Sequence, residues 1–357
     1  VRTLIENKNS DPVRNGGLLT VITDNTGKEV AKNEIPFYVE GDTETELHQK
    51  ITVSDPELWS VDSPELYTLK TYIKKDGKII DNIDTDFGIR ELEFSSEKGF
   101  LLNGEQLKIK GVCLHHTAGC VGAAVPDGVW ERQLKILKEM GCNAVRTAHN
   151  PFAPEFYDMC DRIGLLVKAE AFDELYEPKA NGLMINDVVP YGYHIYFHEW
   201  GVYDLKQMIR RDRNHPSIFL WSVGNEVKEQ VTSDGHKIIK ELIDVCHQED
   251  PTRPATSACN RIAREYGPST TVEFMEELDI VAYNYVDLST QRRELYFTVD
   301  KMAHPEWKMI GGENSAIYST RGDYSLGHDP DKVMASYNTN MIDQSMLWKY
   351  ILAHDFV

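Results

Sequence analysis

The 357-residue sequence predicts a small β-sandwich followed by a parallel (β/α)8 barrel of the TIM type, on three observations. Up to about residue 95, apolar residues come in short alternating runs broken by turn residues, the pattern of antiparallel strands. Beyond that point, short apolar runs alternate with amphipathic helical stretches, which implies βα units and a parallel sheet. The length suits both, since a barrel takes about 250 residues and leaves room for a smaller module. The expected domains are therefore 1–95 and 96–357.

Composition narrows the partners. Hydrophobic residues make up 41% and charged residues 27% of the chain, as in ordinary soluble domains. No apolar run approaches the roughly 20 residues that span a bilayer. A net charge of −19 repels nucleic acid and anionic membrane surfaces, so neither is expected as a partner. The six cysteines include no CxxC pair and no dense framework, so neither zinc nor a disulfide scaffold is expected; most read as small buried hydrophobes.

In the first domain, 18–23, 45–53 and 66–73 read as strands, with Leu47, Ile51 and Val53 sharing a face of the second. Asn25-Thr26-Gly27-Lys28 and Lys75-Asp76-Gly77-Lys78 read as turns. Trp59 and Tyr67 read as core anchors rather than a sugar platform. The first residues already have strand character, so the amino terminus reads as a cut within a longer protein.

In the second domain, strands are expected near 107–113, 143–148, 165–170, 218–223, 255–258, 279–284 and 308–312. Trp130, Leu134, Leu137 and Met140 form one helical stripe closed by Gly141, and 154–163, 202–213, 235–248 and 332–352 behave similarly. That gives seven βα strands where a closed barrel needs eight. The last βα unit is expected to be absent, leaving the barrel incomplete at its carboxyl end.

The most informative stretch runs from Asp212 to Glu226. Pro216 stops a helix, Ile218 to Val223 reads as a strand buried on both faces, and Asn225-Glu226 follows at its carboxyl end, where parallel barrels carry their chemistry. Alone, Asn-Glu would read as a cap of the next helix. The whole run resembles the acid/base signature of glycoside hydrolase family 2, which comprises β-galactosidases, β-glucuronidases and β-mannosidases. Pro56 to Tyr67 resembles part of the immunoglobulin-like domain preceding the barrel in that family.

The resemblance implies a retaining mechanism, which needs two carboxyls about 5–5.5 Å apart. It makes Glu226 the acid/base and Glu313, in Gly311-Gly312-Glu313-Asn314, the nucleophile. Asn143 to Pro151 resembles a second family signature, in which Arg146 steadies the nucleophile and His149 contacts the sugar. By the same resemblance Asn225 meets the sugar 2-hydroxyl, Tyr285 bonds the nucleophile with Tyr283 as its rival, and His115 contacts substrate. Glu170 stands in Lys168-Ala169-Glu170-Ala171, similar to the family's Asp-Glu-Ala pattern with Ala169 replacing the aspartate, and is a further substrate-site candidate. Some β-galactosidases hold magnesium here through a glutamate and a histidine. Glu174 fits the first, but Tyr176 occupies the second position and is a poor Mg²⁺ ligand, so no metal is expected. Ala316 stands where the best-known β-galactosidases have a histidine, which weakens the choice of galactose.

The expected activity is a retaining exo-β-glycosidase acting on an oligo- or polysaccharide, β-galactosidase first and β-glucuronidase second, with no cofactor. A carbohydrate-binding relative without catalysis is the alternative of another class. Retention of both glutamates with Arg146, Asn225 and a tyrosine argues against it. Self-association into a homo-oligomer and the compartment (cytoplasm, periplasm or secreted) stay open.

Overall fold

The computed structural model describes residues 1–179, 191–262, 267–285, 295–314 and 344–357. The chain divides into two compact units, one formed mainly by residues 1–90 and the other mainly by 91–357.

The first unit is sandwich-like. Strands β1 (Arg2–Asn7) and β4 (Thr43–His48) pair with each other; β2 (Val13–Thr23), β3 (Glu29–Val39), β5 (Tyr67–Lys75) and β6 (Lys78–Phe87) form an antiparallel sheet in the order β3-β2-β5-β6. A register shift between Val13 and Gly16, followed by alternation from Gly16 onward, sends Val13 and Leu18 into a core with Ile5, Phe37 and Val39. Both expected turns are present, with Gly27 at φ 83°, Asp76 at 50° and Gly77 at 78°, values that glycine and aspartate adopt most readily. The strand expected over 45–53 ends at His48. Gln49 still pairs its backbone with Val1, while its buried side chain accepts from Thr20 Oγ1 at 2.6 Å. Two strands lacked a clear signal. β3 contains Pro36, which an edge strand tolerates, and β6 exposes nearly every side chain. Trp59 and Tyr67 are buried packing residues; the Tyr67 hydroxyl accepts from the Glu57 backbone.

The second unit opens with a small antiparallel sheet, β7 (Leu92–Ser95), β8 (Gly99–Leu102) and β9 (Glu105–Gln106). Seven parallel strands follow, side by side in sequence order: β10 (Gly111–His115), β11 (Ala144–Ala148), β12 (Leu166–Glu170), β13 (Ile218–Asn225), β14 (Ala255–Cys259), β15 (Val281–Asn284) and β16 (Met309–Glu313). All seven were expected near these positions. Every residue of β13 is buried, as a strand with helices outside and a filled interior requires. Phe94 and Phe100 pack on Phe219 near its start.

Helices alternate with these strands: α1 (Asp127–Glu139), α2 (Pro154–Ile163), α3 (His194–Asp212), α4 (Gly235–Glu249), α5 (Val272–Glu276), α6 (Tyr296–Ala303) and α7 (Gln344–Leu352). Of the expected stripe, Trp130 and Leu134 are buried and Leu137 is half-buried, but Met140, just past the end of α1, is exposed. α3 begins at His194 rather than Val202, because Ile195, Tyr196 and Trp200 are exposed apolar residues that blur the amphipathic period. Of the helix expected over 332–352, residues 332–343 lie outside the described residues. Among the described residues β10 and β16 are the two edges of the sheet. A cavity of about 650 Å³ lies beside them, lined in part by Leu107, Cys113, Met309, Gly311, Leu347 and Trp348. Cys160, Cys246 and Cys259 are buried, Cys113 and Cys142 partly so, and Cys120 is exposed, so the expectation that most cysteines are buried holds for half of them.

Candidate active site

Two irregularities aim side chains into the barrel mouth. The pairing of β13 with β14 shifts register between Ser222 and Asn225, and that of β15 with β16 shifts between Tyr283 and Asn284. Such bulges bend a strand and redirect the residues that follow. Glu226 and Tyr285, just past each shift, sit at φ 52° and 59°, a left-handed conformation costly for side chains of this size. Backbone bonds hold them, Glu226 N to Ala258 O at 2.8 Å and Tyr285 N to Glu313 O at 2.6 Å.

The two carboxylates share a donor. Asn284 Nδ2 lies 3.0 Å from Glu226 Oε1 and 3.3 Å from Glu313 Oε1. Asn260 Nδ2 donates to Glu226 Oε2 at 2.9 Å. Arg146 Nη1 donates to Glu313 Oε1 at 2.8 Å, and His149 Nε2 stands 3.7 Å from that oxygen. Burial, hydrogen bonding to Glu313 and Glu226, and the charge of both raise the Tyr285 hydroxyl above its ordinary pKa. It therefore stays protonated and donates.

Arg146 is the hub beneath. Its Nε and Nη2 hold Glu170 at 3.1 and 2.8 Å, and Nη2 also donates to Asn225 Oδ1 at 2.8 Å. Burial pulls its pKa down, but the negative charges around it, Glu170 foremost, outweigh burial, so the guanidinium stays ionised. Glu170 is 0% exposed. Burial favours its neutral form, yet Arg146, then His149 and Lys168, win and bring it down to about 2. His149 Nδ1 at 2.5 Å and Ser222 Oγ at 2.7 Å complete its shell. Glu170 is thus fully enclosed, its oxygens taken up by Arg146, His149 and Ser222.

The other expected residues are distributed as follows. His115 is exposed and meets His149 edge-on at 5.4 Å, whereas His116 stacks on Phe152 and Trp130. Asn225 is 2% exposed, accepting from Arg146 and Asn284 and donating to Asp173 at 2.9 Å. The Tyr283 hydroxyl turns away to Asp300 at 3.1 Å, so Tyr285 is the tyrosine beside Glu313. Glu174 accepts from His194 Nδ1 at 2.9 Å and from the backbone of His194 and Lys179, so its oxygens are engaged by protein donors. Asn284, Asn260, Asp173, Ser222 and Lys168 belong to the assembly without having been expected. Only the strand-end position of Asn284, in Tyr283-Asn284-Tyr285, hinted at it.

The family "Glycosyl hydrolases family 2, TIM barrel domain" matches residues 95–356, and "Glycosyl hydrolases family 2" matches 1–90. The chain belongs to glycosyl hydrolase family 2. A family 2 β-galactosidase of Bacteroides ovatus, BoGH2A, is 36% identical over 353 residues, covering 90% of this chain and 39% of its own. A β-glucuronidase of Bacteroides fragilis is 36% identical over 219 residues, 59% of this chain and 29% of that protein. A crystal structure of a family 2 member from Bacteroides cellulosilyticus matches at TM-score 0.80 and 32% identity, over 100% of this chain and 40% of that one. The chain thus spans two-fifths or less of the length of these family 2 relatives.

Proposed function

We propose that this chain carries the catalytic site of a retaining exo-β-glycosidase whose preferred substrates are β-galactosides. The observation that carries the reading is the Asn284 amide shared between Glu226 and Glu313, two carboxylates at the ends of β13 and β16. One amide reaching both sets them close, as attack and protonation at a single glycosidic bond require; the retaining separation is about 5–5.5 Å.

In this reading Glu313, held by Arg146 Nη1, attacks the anomeric carbon while Glu226 gives its proton to the leaving oxygen. The bond to the aglycone breaks and an ester between Glu313 and the sugar forms. Glu226, now a carboxylate, takes a proton from water, whose oxygen attacks the same carbon and releases Glu313. Two inversions give net retention. Tyr285 and Arg146 recover the nucleophile's charge as it departs. His115, His149 and Asn225 are the groups assigned to the sugar.

The Bacteroides ovatus relative, which matches over 90% of this chain, is named a β-galactosidase, which supports galactose. Glucuronic acid is the second reading, favoured by the relative named a β-glucuronidase. A panel of nitrophenyl β-glycosides on the full-length protein separates them: the β-galactoside should give the highest kcat/KM, preference for the β-glucuronide would replace that choice, and no turnover of any would refute the reading.

A further inference from the structure

Among the described residues, two buried polar atoms of this assembly lack a hydrogen-bond partner, Lys168 Nζ and Asn284 Oδ1. They are complementary, one a donor and the other an acceptor. Both border the same point in space. A Cβ placed on Gly312 would lie 3.6 Å from Lys168 Nζ and 2.5 Å from Asn284 Oδ1, so the missing side chain leaves the path between them open.

The orientation of Asn284 is chemically determined. Its Nδ2 faces three acceptors, Asn225 Oδ1 at 3.1 Å, Glu226 Oε1 and Glu313 Oε1. A flipped amide would set an oxygen against two carboxylates, so Oδ1 must point the other way. An ammonium with 4% exposure on β12 is costly unless it is paired. Resting on the glycosidase reading above, we propose that Lys168 is a positioning residue for the two catalytic carboxylates. It donates past Gly312, through one bridging water, to Asn284 Oδ1, and so keeps the Asn284 amide turned toward Glu226 and Glu313.

The charged and titratable groups facing Lys168 are Cys113 on β10, Arg146 on β11, Glu170 on its own strand, Cys259 on β14 and Glu313 on β16. Arg146 serves two carboxylates at once, and the Lys168 ammonium supplies the second positive charge for that pair. Burial first, and then Arg146, lower its pKa to about 8, which leaves it charged at neutral pH.

The test is Lys168→Met in the full-length protein, on whichever nitrophenyl glycoside the wild type cleaves best. The expected loss in kcat is about 10- to 100-fold, the size of a lost hydrogen bond involving a charged group, with KM little changed. Lys168→Gln, which keeps a donor but no charge, should recover most of the rate. In an Asn284→Ala background either substitution should cost little more. A folded Lys168→Met protein with wild-type kcat would overturn the proposal, as would losses that multiply independently in the double variant. A crystal structure gives a reading that needs no turnover: the Asn284 amide should rotate away from the carboxylates in Lys168→Met and stay turned toward them in Lys168→Gln, and an unchanged amide in Lys168→Met overturns the proposal. An inactive wild type with a rotated amide would instead fault the glycosidase reading alone.

Discussion

Arg146 Nη1 reaches Glu313 Oε1 at 2.8 Å while the other edge of the same guanidinium grips Glu170. One planar fork thereby ties an acid at the end of β16 to a fully buried acid on β12. Arg146→Lys keeps the charge but cannot span both. It should lower kcat/KM by about 100-fold or more on a nitrophenyl glycoside, since a catalytic group misplaced by about 1 Å already costs that much. A rate near wild type would show that the fork is dispensable.

Glu170 makes stability acid-sensitive. Its folded pKa, about 2, lies below the ordinary 4.5. The stability it contributes is complete above about pH 4.5 and is lost as pH falls toward about 2. Glu170→Gln leaves Arg146 with one anion fewer and should cost roughly 3–5 kcal/mol at neutral pH. Urea melts from pH 7 down to 3 should show the gap between wild type and variant closing in that acid window. A constant gap would locate the interaction elsewhere.

Lys168 has the opposite sign. Its folded pKa of about 8 lies below the ordinary 10.5, so the penalty for burying its charge is complete below about pH 8 and is relieved between there and about 10.5. Lys168→Met should therefore unfold at higher denaturant at pH 7, by on the order of 2–3 kcal/mol, even as it loses rate. Equal stability at pH 7 would mean that the ammonium is better compensated than its surroundings indicate.

Gly312 is the position where backbone shape controls the site. An alanine there would press its Cβ to 2.5 Å from Asn284 Oδ1 and 3.3 Å from Tyr283 O. Gly312→Ala should leave the protein folded by circular dichroism and lower kcat by about 10- to 100-fold through displaced Asn284. Unchanged kcat would show that the amide position is not limiting.

The barrel strands were legible because a parallel strand covered on both faces leaves an unbroken apolar run, as in Ile218-Phe219-Leu220-Trp221. β6 was not, because its Ile79, Ile80 and Ile83 are exposed and no alternation marks a buried face. In the candidate site, Glu226, Glu313 and Arg146 stood in recognisable runs. Asn284 did not: its reach to both carboxylates comes from a register shift between β15 and β16, set by pairing with residues far along the chain. The enclosure of Glu170 was hidden for a similar reason, since it is built by Arg146, His149 and Ser222 from neighbouring strands. The space at Gly312 likewise gains meaning only once β12, β15 and β16 lie together.

The division of labour between Glu313 and Glu226 is the claim on which everything else depends, and azide rescue tests it directly. Glu313→Ala in the full-length protein should abolish turnover, and added azide should restore it with a glycosyl azide of inverted configuration. Glu226→Ala should keep activity on substrates with good leaving groups, and azide should then give the retained product. Products of the reversed configuration would exchange the two roles, and full activity in either variant would contradict the mechanism.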